Sequence, residues 1–177
     1  MKQMYRFLGV AILLLALLAC TKQPTAPTIP AAIFSADLDG QGRDFTDYTI
    51  AISRKNTSTG KFDLYIVGEK GITSDSSTQI RFMVPDFTLS DTLQKTYTLN
   101  TNFTGNFIEW KITPASTHGA YHFFQTGQLT IQKKANDVVE GSFNFVYFTF
   151  DRFAQKTGEY HVSNGQFKNL KIARPDL

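Results

Sequence analysis

The chain has 177 residues, 14% of them aromatic, and 18 Lys and Arg against 15 Asp and Glu give a formal charge of +3. Its single cysteine excludes an intramolecular disulfide and a multi-thiolate metal site. So small a charge excess provides no field to gather nucleic acid, and no nucleic-acid partner is expected.

The chain opens MKQMYR, with Lys2 and Arg6 and no acid, then runs apolar from Phe7 to Leu18. As a helix that run would span roughly 20 Å, against about 30 Å of bilayer hydrocarbon. A basic start, a short apolar middle and a small residue at the end have the form of an export leader. Ordinary cleavage after Ala19 would put Leu17 where a small side chain is preferred. Leu17-Leu18-Ala19-Cys20 instead resembles the lipobox of bacterial lipoproteins. The resemblance implies a leader over residues 1–19, cleavage between Ala19 and Cys20, diacylglycerol on the Cys20 thiol and acylation of the new amine, palmitate being the fatty acid to trace. One acyl chain binds a membrane only reversibly; two or three on one residue anchor it. The bilayer is then a partner through acylated Cys20, and the exported domain has no thiol. Loss of Lys2 and Arg6 with the leader removes two of the positive charges.

Within residues 20–32, Pro24, Pro27 and Pro30 recur at every third position among small and polar neighbours. This spacing favours an extended tether of about 3 Å per residue.

Residues 33–177 form the expected domain, and here the apolar period is two. Tyr48, Ile50 and Ile52 alternate with Thr49, Ala51 and Ser53. Phe62, Leu64 and Ile66 follow, then Ile80, Phe82 and Val84. Ile108, Trp110 and Ile112 oppose Glu109 and Lys111, and Leu129, Ile131, Phe143, Phe145 and Tyr147 continue the pattern. Such alternation predicts half-buried strands, and it assigns Trp110 to the core. Asp39-Gly40, Ser58-Thr59-Gly60 and Asn164-Gly165 read as turns. Pro85 and Pro114 fall at strand ends, where a missing N–H is tolerated. Residues 86–95 have room for one short helical turn. The expected fold is all-β: a single antiparallel β-sandwich of about 8–10 strands, with a closed β-barrel as the alternative. One strand, Ser142 to Phe150, departs from simple alternation. Val146, Phe148 and Phe150 face one way, Phe145 and Tyr147 the other. Both faces need cover, from the protein itself or from a pocket or partner.

Chemistry-bearing patterns are sparse. His118 and His122 would share a strand face, but the sequence predicts a loop for His118 beside Gly119, and no acid accompanies them at metal-site spacing. Asp37, Asp39 and Asp44 in DLDGQGRD do not match a calcium loop, because Gly40 comes too early, so the stretch reads as a strand turning at Asp39-Gly40. There is no G-x-S-x-G, P-loop or dinucleotide fingerprint. No cofactor, metal or catalytic residue is expected; a hydrolase with dispersed carboxylates is the enzymatic alternative. Lys133-Lys134 reads as a solvated hairpin end. Exposed aromatics on a sandwich stack on sugar rings, and Tyr121, Tyr147 and Tyr160 are the candidates.

Three stretches, IFSADLDG, GQLTIQKKANDVVEGSFNFVYF and VSNGQFKNLKI, resemble a small uncharacterised all-β lipoprotein family of Bacteroidota. The resemblance spans roughly residues 33–172 and implies fold and compartment, with no catalytic residues. Asp91-Thr92-Leu93 resembles the O-glycosylation site of exported proteins in those bacteria, which would modify Thr92. They often send lipoproteins to the cell surface with an acidic run after the cysteine. Thr21-Lys22-Gln23 lacks one, so the expected location is the periplasmic face of the outer membrane, with the cell surface as the alternative. The expected function is a non-catalytic binding or accessory module of the envelope, taking a glycan, an apolar ligand or an envelope protein. A structural lipoprotein without a small ligand is the second reading.

Overall fold

The computed structural model describes residues 30–174 except 74–75, 89–93, 114–115, 135–136 and 152, with the backbone alone at 72–73, 111–113 and 116–118. Ala19, Cys20, Pro24, Pro27, Thr92 and Pro114 therefore lie outside the described residues. Ten strands are described: β1 (Ile33–Leu38), β2 (Gln41–Asp44), β3 (Tyr48–Lys55), β4 (Phe62–Thr73), β5 (Ser76–Val84), β6 (Lys95–Thr98), β7 (Thr104–Thr113), β8 (Ser116–Lys134), β9 (Val138–Phe150) and β10 (Lys156–Ala173). Among the described residues no helix is long and apolar enough to cross a membrane.

The strands form a sandwich-like pair of layers. The back layer runs β2-β1-β10-β9-β8-β6. The front layer runs β10-β3-β4-β5-β7-β8. Every named strand pair is antiparallel except β10–β3, a short parallel contact of Ile172 with Ala51 and Ala173 with Ile52. Long strands β8 and β10 serve both layers. β8 leaves β7 after Phe123 and takes up β9 at Phe124, with a register irregularity between Phe124 and Thr126. Bulges of this kind re-aim a strand and make the corners of packed sheets. At Gly127 a Cβ would stand 2.3 Å from the Asn144 carbonyl oxygen, so the corner requires glycine.

Phenylalanine fills the space between the layers. Phe82 on β5 meets Phe34, Phe143, Phe145 and Phe167 of the back layer at ring-centre distances of 5.9, 4.9, 5.1 and 6.4 Å. Such ring pairs contribute about 0.5–1.5 kcal/mol each beyond their buried area. Phe34 rests on Gly68 of β4, and Phe143 rests on Gly165 of β10. In both places the aromatic occupies the room a side chain would take.

Turn chemistry explains the local folds. Asp39 and Gly40 both have positive φ, 49° and 78°, as a two-residue hairpin between β1 and β2 demands. Ser58-Thr59-Gly60 turns β3 into β4, and β5 stops at Val84 before Pro85. Asn164-Gly165 is a correction: it lies inside β10 as a bulge, with Asn164 at φ 50° and a register jump between Val162 and Gly165. β10 is paired along this stretch by β1 and β9, so the positive φ kinks the strand instead of reversing it. His118 also differs from its expected loop position, since it pairs with Lys111 within β8. Lys133 and Lys134 close the β8–β9 hairpin, reaching Asp137 at 3.1 Å and Glu140 at 2.9 Å.

Candidate binding groove

The front layer is apolar on both faces, and the reason is register. Residues directly opposite in an antiparallel pair point to the same face. Leu64 and Ile66 of β4 are fully buried between the layers, and they oppose Ser53 and Ala51 of β3. Ala51 and Ser53 therefore point inward, with 0% and 1% exposure. Tyr48, Ile50 and Ile52, the larger apolar set of β3, point outward. β7 behaves alike. Phe107 packs inward on Tyr147 at 5.2 Å, while Trp110 is half-buried on the outer face with its ring edge on Tyr121 at 5.7 Å. The expected core position of Trp110 is thus corrected.

Read across β3, β4, β5, β7 and β8, the outer face consists of three cross-strand rows. Tyr48, Glu69, Gln79, Ile108 and Tyr121 form the first. Ile50, Val67, Arg81, Asn106 and Phe123 form the second. Ile52, Tyr65, Met83 and Thr104 form the third. Apart from the buried Ile108 and from Tyr121, these residues line an open groove of about 550 Å³, ending at Arg54. This volume is in the range of small-ligand sites, which combine apolar walls with a few convergent polar groups. Tyr48, Tyr65 and Phe123 rise at its rim with 53%, 37% and 64% exposure.

Arg81 occupies the centre. Its Nε and Nη2 both donate to Gln79 Oε1, 2.8 Å from Nε, and Gln79 Nε2 donates to Glu69 Oε2 at 2.6 Å. The neutral amide stands between guanidinium and carboxylate and fixes the direction of the arginine. Among the described residues neither Arg81 nor Arg54 has a carboxylate within ion-pair distance. Asp63, opposite Arg54 in register, accepts instead from Asn56 Nδ2 at 3.1 Å and the Asp86 N–H at 3.2 Å. Asn106, beside Arg81, has a buried amide oxygen without a donor.

The three tyrosine candidates fall in different settings. Tyr121 is half-exposed and lines a smaller hollow of about 250 Å³ with Phe123, Phe148 and Phe150. Tyr147 is 6% exposed and belongs to the core, where burial first, and then the Glu109 and Asp39 carboxylates, push its phenol well above the usual range. Its ring is covered by Tyr160 at 5.1 Å, so Tyr160 alone of that pair offers an outer face. The structure does not bring the three together into one surface. The second apolar face of Ser142 to Phe150 is partly open: Phe148 is half-buried under the Lys156 ammonium at 3.7 Å, and Phe150 is 53% exposed.

His122 Nε2 lies 3.3 Å from Glu109 Oε2, and His161 Nε2 lies 3.5 Å from Glu159 Oε1. Among the described residues no three His, Cys, Asp or Glu side chains gather as a metal site. The carboxylates of DLDGQGRD serve the fold: Asp39 accepts from the His161 N–H at 2.8 Å, Asp37 from Asn164 Nδ2 at 2.7 Å, and Asp44 from Thr46.

The groove residues Arg81, Gln79 and Glu69 were missed by sequence reasoning. The available signal was that β3 carries large apolar residues on one face while β4 and β5 carry them on both. Searches against protein-family models, curated proteins and solved structures gave no match to this chain.

Proposed function

We propose that the protein is a lipid-anchored, non-catalytic binding module of the bacterial envelope, and that the outer groove of the front layer is its binding face. The observation that carries this reading is the outward set Tyr48, Ile50, Ile52, Tyr65, Val67 and Met83 around Arg81. A monomeric protein rarely leaves so much contiguous apolar surface in water without a use for it. The anchor is Cys20, acylated after cleavage behind Ala19, as the lipobox resemblance implies, and residues 20–32 are the tether. Thr21-Lys22-Gln23 lacks the acidic run that often sends lipoproteins of Bacteroidota to the cell surface, which favours the periplasmic face of the outer membrane.

Two measurements test the reading. Labelled palmitate enters the wild-type chain in cells and fails to enter Cys20→Ala; label in the variant overturns the anchor. An anionic aromatic dye, anilinonaphthalene sulfonate, binds the folded full chain, and Tyr65→Ala and Ile50→Asp reduce that binding with circular dichroism unchanged. Undiminished dye binding in both variants would remove the groove as the binding face. Digestion of the domain by protease added to whole cells would place it on the cell surface instead.

A further inference from the structure

The ligand class of the groove follows from what its polar groups lack, given the binding reading above. An enclosed apolar cavity suits an aliphatic chain, but this groove is open and its rim aromatics are among the most exposed on the domain. Tyr48 and Tyr65 are exposed aromatic rings of the groove, a type of surface on which the C–H face of a sugar ring can stack. Beside them, on β4, β5 and β7, the same groove carries planar, multivalent hydrogen-bonding groups, Glu69, Gln79, Arg81 and Asn106, the types that pair with vicinal hydroxyls.

Charge narrows the class further. Arg81 lies at the middle of the face, oriented by the neutral Gln79 amide and without a carboxylate partner among the described residues. A guanidinium over apolar walls gains most from an incoming carboxylate, which it can grip with two parallel hydrogen bonds. Arg54, which among the described residues also has no ion-pair partner, supplies a second cation at the end of the same groove. The Asn106 side chain, next to Arg81 in register, adds a further hydrogen-bonding group to the groove wall. We infer that the groove binds an acidic glycan: a short stretch of uronic-acid-containing oligosaccharide, with one carboxylate on Arg81 and its rings on Tyr48 and Tyr65.

The test uses the full chain in detergent and isothermal titration with three hexasaccharides: oligogalacturonate, oligomannuronate and chondroitin. Each is compared with its methyl ester, which keeps the rings and hydroxyls and removes the charge. At least one acid form binds, and esterification weakens it roughly tenfold or more, as loss of a charged hydrogen-bonded pair requires. Arg81→Met removes the preference for acid over ester, Arg81→Lys keeps part of it, and Arg43→Met on β2 leaves it unchanged. Equal binding of acid and ester, or no saturation by any of the three at about 1 mM, overturns the ligand class. That failure is separable from failure of the groove itself. If the sugar binds but Tyr65→Ala and Arg81→Met leave its affinity untouched, both the ligand placement and the groove reading fall.

Discussion

A substitution pair on neighbouring residues of β3 tests the inverted register on which the groove depends. Ala51→Asp places a carboxylate between the layers, at a site with 0% exposure and against Ile66 and its neighbours. Full burial raises a carboxyl pKa by about 3–5 units, or roughly 4–7 kcal/mol at 1.36 kcal/mol per unit. That approaches the whole stability of a typical domain, about 5–15 kcal/mol. Ile50→Asp puts the same group on the outer face, in water and near Arg81. Its cost is the lost contact of a largely but not fully buried isoleucine, about 1.5–3 kcal/mol at most. The two variants should therefore differ by at least about 1 kcal/mol. Urea unfolding monitored by Trp110 fluorescence and far-ultraviolet circular dichroism measures it, provided the slopes agree. If Ile50→Asp destabilises as much as Ala51→Asp or more, the large residues of β3 face the core and the groove does not exist.

Other outcomes follow from the same packing. Ser53 Oγ and Thr78 Oγ1 are buried between the layers without partners, so Ser53→Ala and Thr78→Val should be neutral or stabilising, by up to about 1–3 kcal/mol each; thermal melting that falls in both would show that the hydroxyls are paired. Gly141→Ala would bring a Cβ to 2.0 Å from the Thr130 carbonyl and 2.5 Å from the Phe167 ring; the backbone must shift, and a loss of at least about 1–3 kcal/mol is expected in urea unfolding. The Asp137 carboxyl is held below its usual range chiefly by the hydrogen bond from Lys133, with Arg174 adding to it. A depressed folded-state pKa contributes stability above the unfolded value, near 3.8, and loses it as pH falls through the lowered one. Wild type should therefore exceed Asp137→Asn slightly at pH 7 and converge with it in acid, with salt shrinking the gap; an unchanged gap at low pH would refute the pairing. Tyr147 carries the opposite sign. Its phenol is raised, so its contribution is present below the unfolded value of about 10 and lost as pH rises through the folded one. Alkaline titration of Tyr147→Phe should show greater resistance to unfolding above pH 10 than wild type.

Strand existence was legible in the sequence because alternation is a local property. Ile80, Phe82 and Val84, or Phe143, Phe145 and Tyr147, announce both a strand and its inward face, and the structure places them inward. The same signal at Tyr48, Ile50 and Ile52 announces a strand but misstates its face. No residue within β3 contains the missing information. It comes from β4, whose Leu64 and Ile66 are committed to the core and whose register forces Ala51 and Ser53 to follow. Asn164-Gly165 teaches the same lesson about turns. The dipeptide licenses a positive φ, but the partners on either side decide whether that φ reverses the chain or bulges it. Tyr147 and Tyr160 show it for site residues, since stacking with each other is what removes one of them from the surface.

By itself, then, the sequence determined an all-β domain, its strand segments, its Asp39-Gly40 and Ser58-Thr59-Gly60 turns, and a core built from phenylalanine instead of disulfides. These follow from side-chain periodicity, backbone permissiveness and composition, each readable within a few residues. The tertiary structure alone decided which face of each strand meets the other layer, where β8 and β10 change layers, and that Arg81 stands in an apolar groove. Those are outcomes of cross-strand register and of two layers competing for the same apolar residues. A strand with two candidate faces has one buried only when its neighbour has already chosen.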